Sequence, residues 1–513
     1  MFSFVLLENS LSRSEFKLGK ALCYPLTSPM TRNMTIMPAS SGVKRTTTTI
    51  LVNLGGIFVH PPLNYELKSG KSRIKLGRVL SSSPWMDREI GKIDENECFT
   101  RAAELYGFQA EDLKEVVEYL RETLTYDEKM LSLFKEIKQI PGVTIHLVSN
   151  ISESEYKALR RRWDDSFWST FDDIYTSWML GVRKPSLSFY QKVLRATRAA
   201  PQETLFIDDQ PENVLAAMSL GMRGIVGIDD LARILKNVTG DPIERGLAFL
   251  EKYARKHYST TVGGDDIDEN YAQLLILETT KNENLVDINR PPRLWNFFSG
   301  KPKYTSQVYP DDMDTTALAL VVLDYEAEVA HSILDEMLNH VNDEGLVQIY
   351  TDKSRPRVDA IIALNVLVAF FKYGRGYELP RTLDWIQNIL LNRAYIHGTR
   401  YYQSPEWFLY YTTRLLTYSN DPSLKERLEA PLRTRVRERI GVKGDAFCLG
   451  MRLMSCNFLG IENIADKEQL RSMQQEDGGW AASAMYLFPT EAKVIGNRGT
   501  VTAYAVKALR DIP

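Results

Sequence analysis

At 513 residues the chain is too long for one ordinary hydrophobic core, so two or more domains are expected. Its hydrophobic and charged fractions, 44% and 25%, are those of a globular protein, and a net charge of -3 leaves no basic footprint for nucleic acid. Cys23, Cys98, Cys448 and Cys456 show no C-x-x-C pair or metal spacing, and no apolar run approaches the roughly 20 residues that cross a bilayer. A reducing, cytoplasmic setting without a membrane span is the expectation.

The first stretch, 1–47, starts with MFSFVLLENS, where Glu8 interrupts a short apolar run that no basic segment precedes. That argues against a signal peptide, and the Ser/Thr/Pro-rich remainder reads as a loosely ordered arm. From 48 to 234 strand and helix patterns alternate. ILVNLGGIF (50–58), VTIHLVSN (143–150) and ETLFIDDQ (203–210) read as buried strands, and an all-helical insertion over about 84–138 separates the first two. Alternation of this kind predicts a parallel, doubly wound sheet, with its site beyond the carboxyl ends of the strands. Asn53, Ser149 and Asp208 all fall there. From 235 to 513 amphipathic helices follow one another with short polar turns, as in an α/α-barrel or bundle. The fold class is therefore α/β plus all-α.

Four pieces of chemistry occur in order in the first half: Asn53-Leu-Gly-Gly, Ser149-Asn150, Lys184 in GVRKPSLSFY, and Asp208-Asp209 in FIDDQPENV. A phosphoaspartate mechanism needs a nucleophilic carboxylate, a hydroxyl that holds the phosphoryl group, a lysine, and acidic residues for Mg2+. The set resembles the haloacid dehalogenase-like superfamily, with the helical insertion as its cap. That resemblance puts the nucleophile at position 53, which holds an amide, and places Gly55 where many members carry a second aspartate. Ser149, Asn150 and Lys184 then read as a site remnant, and Asp208 and Asp209 as the Mg2+ ligands. A scaffold without phosphoryl transfer is the plainer reading; a rescued activity, with Mg2+ activating a water, is the other.

In the second half, YPDDMDTTALALVV (309–322) passes from an irregular segment into a long apolar helix. Asp312 or Asp314 can be a simple N-cap there. Alternatively the two carboxylates share a small site, and mutual repulsion keeps one protonated near neutrality. A neutral carboxylic acid in a dry pocket can protonate a carbon–carbon double bond. Asp312-Met313-Asp314-Thr315-Thr316 resembles the DxDTT motif of class II terpene cyclases. On that resemblance Asp314 is the proton donor, Asp312 supports it, and the hydroxyls of Thr315 and Thr316 position the pair. QQEDGGW (474–480) is similar to the Q-x-x-x-G-x-W brace of cyclase barrels, in which Gln474 and Trp480 are structural. Lys353, Arg355 and Arg357 in TDKSRPRVD offer cations for a substrate diphosphate, although a solvated loop explains them equally well.

Together the halves resemble the drimane-type sesquiterpene cyclases of the haloacid dehalogenase-like terpene synthase group. The resemblance implies farnesyl diphosphate as substrate, a drimenyl or albicanyl diphosphate as product, and a separate downstream phosphatase. The alternatives are a bifunctional cyclase–phosphatase that releases the alcohol, and a phosphatase with no cyclase activity.

Overall fold

The computed structural model describes residues 47–61, 64–66, 73–261, 263–305, 308–488 and 491–510; the arm read over 1–47 lies outside them except for Thr47. The chain divides into two compact units at Thr239–Gly240.

In the first unit a five-stranded parallel sheet runs in the order Asp173–Thr176, Thr144–Ser149, Thr49–Asn53, Thr204–Asp208, Arg223–Val226. The strand that ends at Asn53 is central and buried at every position. Its side chains alternate between faces. Ile50 and Val52 join one apolar cluster with Phe134, Leu147 and Ile207, while Leu51 joins another with Val148, Phe189 and Phe206. Helices therefore cover both faces, and the sheet's buried strands read as near-continuous apolar runs. The edge strands DIYT and RGIV escaped the sequence reading because they are short and mix polar with apolar residues.

Four helices, Ser83–Glu89, Glu95–Tyr106, Ala110–Thr123 and Glu128–Lys138, fill the insertion. Its separate core, built on Leu80, Trp85, Phe99, Val116 and Leu120, ends with the third of them. The fourth sends Leu131, Phe134 and Ile137 into the sheet's own cluster, so the packed cap is shorter than the 84–138 expected.

In the second unit six helices close a ring of neighbours: Asn270–Thr280, Met313–Val322, Ala360–Lys372, Pro405–Tyr418, Ala446–Phe458 and Arg498–Arg510, which returns to the first. These inner helices are buried almost all round, which is why MDTTALALVV and AIIALNVLVAFFK are apolar without a polar face. Outer helices such as Pro242–Lys252 pack against them, giving an α/α-barrel. Gln474 accepts from Arg245 and donates to Pro242 O and Gly478 O, the Trp480 indole donates to Leu470 O, and Trp480 N donates to Thr502 Oγ1 on the last ring helix, so QQEDGGW ties outer helices to the ring.

A four-stranded antiparallel sheet, in the order Tyr486–Phe488, Lys493–Gly496, Ser259–Thr261, Asp266–Ile267, was not foreseen in the sequence. Its strands are two to four residues long, below what an alternation pattern can signal. Among the described residues no helix is long and apolar enough to cross a membrane, and Cys98, Cys448 and Cys456 are free thiols.

Candidate active sites in the two units

In the first unit the strand ends bring Asn53, Ser149 and Asp208 together, and the loop after Gly181 swings Lys184 over them. Lys184 Nζ is buried and donates to Asp208 Oδ2 at 2.6 Å, to Asn53 Oδ1 at 2.8 Å and to Val148 O at 3.4 Å. Asn53 Nδ2 donates to Gly55 O at 2.7 Å and to Asp209 Oδ1 at 3.0 Å. Asn150 faces away from this group, exchanging hydrogen bonds with the backbone of Lys184, and so fixes the lysine's loop. Ser149 Oγ is buried without a hydrogen-bond partner.

The pair expected to hold Mg2+ is already engaged. Asp208 accepts from Gln210 N and Asn213 through Oδ1 and from Lys184 through Oδ2. Asp209 accepts from Asn53 through Oδ1 and from Gln210 Nε2 at 2.6 Å through Oδ2. Burial, then the neighbouring Asp208, raises the Asp209 carboxyl to about 6. Among the described residues no group of three or more acidic, histidine or cysteine side chains is arranged for a metal. As they stand, these residues do not fit the cation.

In the second unit Asp312 is the N-cap of helix Met313–Val322, accepting from Thr315 N at 2.7 Å and from Thr315 Oγ1 at 3.1 Å. The cap reading holds for Asp312. Asp314, in the first turn of the helix, accepts from Asn365 Nδ2 at 2.8 Å, from the Tyr271 hydroxyl at 3.3 Å and from the Tyr402 hydroxyl in a short contact. Behind them Arg414 donates to Asn365 Oδ1 at 2.9 Å and pairs with Glu278 at 2.7 Å. Tyr271 also shares a 2.6 Å hydrogen bond with Tyr411. Thr316 touches neither carboxyl. Its hydroxyl donates to Asp312 O and accepts from Trp295 N, so it braces the backbone.

Both carboxyls are buried, and burial is the largest cause of their raised pKa values, about 8 for Asp312 and about 6 for Asp314. Mutual repulsion, expected to dominate, is a smaller contribution to Asp312. Three side-chain donors hold Asp314 below its neighbour by stabilising the carboxylate it becomes on losing a proton. Asp314 is thus the stronger acid of the two.

The two aspartates and Thr315 line a hollow whose remaining wall is largely aromatic: Phe297, Tyr309, Tyr350, Tyr401, Tyr402, Tyr486 and Phe488, with Ile349, Ile362 and Leu487. Phe297, Tyr401 and Tyr402 belong to this wall, whereas Trp407, Phe408 and Tyr411 are packed in the barrel core. The hollow is narrow, about 40 Å³. Pockets for small molecules hold roughly 300 Å³ or more, so its aromatic wall must move to admit a ligand. Strand Tyr486–Phe488 forms part of that wall, held by Leu487 N to Tyr401 O at 2.9 Å and by the Tyr486 hydroxyl to buried Glu269 at 2.5 Å.

Of the three cations, Arg357 reaches the hollow's rim, where it donates to the Tyr401 hydroxyl at 3.2 Å. Arg355 pairs with Asp352 at 3.2 Å, and Lys353 is exposed on the loop. Asn365 and Arg414 were missed in the sequence. Asn365 stands alone among apolar residues in the middle of its inner helix, and Arg414 is the one cation of its own, which is the signal that would have found them.

Residues 243–373 match the family described as sesquiterpene cyclase astC-like C-terminal domain. Residues 66–221 match haloacid dehalogenase-like hydrolase, a match that begins beyond Asn53. A drimenol cyclase from Aspergillus calidoustus is 40% identical over 446 residues, covering 86% of this chain and 84% of that protein. A sesquiterpene phosphatase from Aspergillus oryzae is 33% identical over 161 residues, covering 31% of this chain and 81% of its own. A solved type II terpene cyclase from Scytonema covers 52% of this chain and 95% of its own at 12% identity and a TM-score of 0.38, too distant to carry an argument.

Proposed function

The chain belongs to the drimenol cyclase family, and from that premise we propose that this sesquiterpene cyclase turns farnesyl diphosphate into a bicyclic drimane-type diphosphate, drimenyl or albicanyl, by protonation. The observation that carries the reading is Asp314: a buried carboxyl with a pKa raised to about 6, on the wall of an aromatic hollow, with three hydrogen bonds waiting for its conjugate base.

The Asp314 carboxyl gives its proton to the distal alkene of the folded chain, and the positive charge moves to the more substituted carbon. Each of the next two double bonds attacks in turn, forming two carbon–carbon bonds and two rings. Loss of a proton from a carbon beside the final cation restores neutrality and leaves one alkene. The faces of Tyr402, Tyr486 and Phe297 stabilise the intermediate cations, roughly 2 kcal/mol for each desolvated ring that they approach. Asp312, capping the helix and neutral near pH 7, keeps a second negative charge away from the acid. Arg357 at the rim is the best placed of the three cations for the diphosphate, which travels with Mg2+ as its counter-ion.

Because nothing in this sequence of steps breaks the C–O bond, the diphosphate stays on the product. Position 53 lacks a carboxylate, so the first unit does not remove it, and a separate phosphatase follows. The test is incubation of pure protein with farnesyl diphosphate and Mg2+, extracting with and without added phosphatase. A bicyclic alcohol should be extractable only after phosphatase treatment; only farnesol, in both samples, would overturn the reading.

A second reading is favoured by the likeness of residues in the first unit to a sesquiterpene phosphatase. In it the chain releases the alcohol itself, and the untreated extract already contains it.

A further inference from the structure

The Asn53 side chain has one possible orientation. Lys184 Nζ can only donate, and it lies 2.8 Å from Oδ1; Gly55 O can only accept, and it lies 2.7 Å from Nδ2. The amide NH2 therefore points between a backbone carbonyl and the Asp209 carboxylate oxygen, 3.0 Å away. Exchange that nitrogen for a carboxylate oxygen and three oxygens, two of them charged, converge within hydrogen-bond distance with no proton between them. Such a cluster needs a cation or a shared proton, and a hard divalent ion takes this kind of all-oxygen set.

We propose that the Asn53 amide does the work of a divalent cation in the first unit, so that the site is metal-free by construction. Its two N–H groups deliver positive ends of dipoles to Gly55 O and Asp209, and a cation would have to displace them. Lys184 supplies the remaining positive charge, on Asp208. Gly56 keeps the arrangement tight: its φ is +70°, and a Cβ there would lie 2.3 Å from Asp209 Cγ, so Asp209 packs directly on the loop that carries the amide. The inference concerns what the site binds, not which product the chain releases. A protein that released free alcohol without binding Mg2+ here would overturn the previous section and leave this one standing.

The test is calorimetric titration of the full-length chain with MgCl2, together with thermal unfolding. Wild type and Asp209→Asn should give the same trace, because any Mg2+ heat they share comes from elsewhere. Asn53→Asp should add one saturable site and a midpoint that climbs by a few degrees in about 10 mM MgCl2, as binding to the folded state requires. Adding Asp209→Asn to that variant should remove both. Two results would overturn the proposal: Mg2+ binding by wild type that Asp209→Asn abolishes, or a folded Asn53→Asp protein that gains no site. The wild-type comparison decides the question even if the variant fails to fold.

Discussion

Each unit of this chain buries a pair of aspartates, and the two pairs are neutralised in opposite ways. Asp208 and Asp209 meet fixed partners: an amine at 2.6 Å on one and a carboxamide at 3.0 Å on the other. Asp312 and Asp314 form no ion pair among the described residues. Backbone, hydroxyl and amide groups surround them, so burial lifts both pKa values toward neutrality. A buried charge must be paired or given up. In the first pair Lys184 balances Asp208, whereas Asp209 has only amide partners and is itself lifted to about 6. The second takes up protons, and a held proton is what a cyclisation of an alkene consumes. Similar residues thus make one site with a buried cation on one of its aspartates and one site with no cation at all.

The sharpest way to break that contrast is to remove the acid. Asp314→Asn should lower cyclisation of farnesyl diphosphate at least ~1,000-fold, since Asp312, the other carboxyl at the wall, is the weaker acid and is tied to Thr315 as the helix cap. Its circular dichroism should match wild type, because an amide can keep the bonds to Asn365 and Tyr402. A variant that still cyclises would move the acid elsewhere.

Next comes pH. Asp314 is active when protonated and its pKa is about 6, so kcat/KM should be level below that value and fall about tenfold per unit above it. Tyr402→Phe removes one of the bonds that stabilise the carboxylate. The rate should drop roughly 10- to 100-fold, the worth of a hydrogen bond to a charged group, and the falling limb should move to higher pH. A purely packing role for Tyr402 would slow the enzyme without moving that limb.

A smaller effect is expected in stability. Asp312 sits at about 8 in the fold against 3.8 for an aspartate in water, so between those values the folded chain holds the extra proton and stability falls as pH rises. Asp312→Asn keeps an N-cap and has no such dependence. Its unfolding midpoint should exceed that of wild type at pH 8 and converge with it near pH 4. Smallest of all, Asn53→Asp should leave the carbon skeleton of the product unchanged, because the chemistry it alters belongs to the other pair.

Both sites were partly legible in the sequence, for a shared reason. Asn53, Ser149, Asp208 and Asp312 lie at ends of elements, where an apolar run stops, so pattern alone exposes them. The strands they terminate, being buried on both sides, were equally plain. Tyr271, Tyr402, Asn365 and Arg414 come from three other helices and a loop, and only the closure of the ring brings them to Asp314. No local spacing encodes that closure. The strand Tyr486–Phe488 was invisible for a different reason, three residues being too few to alternate. The electrostatics were misjudged where the sequence suggested neighbourly repulsion, since adjacency is visible in a string of letters and solvent exclusion is not.

The amide at position 53 has a consequence for heredity. Asparagine and aspartate codons differ by a single nucleotide, so one base substitution exchanges the built-in counter-charge for a metal requirement. Lys184 and the unpartnered Ser149 hydroxyl are still in place, while Gly55 stands where many haloacid dehalogenase-like proteins carry a second aspartate. Under the proposed function, that one base change is the first step between releasing a diphosphate and releasing an alcohol.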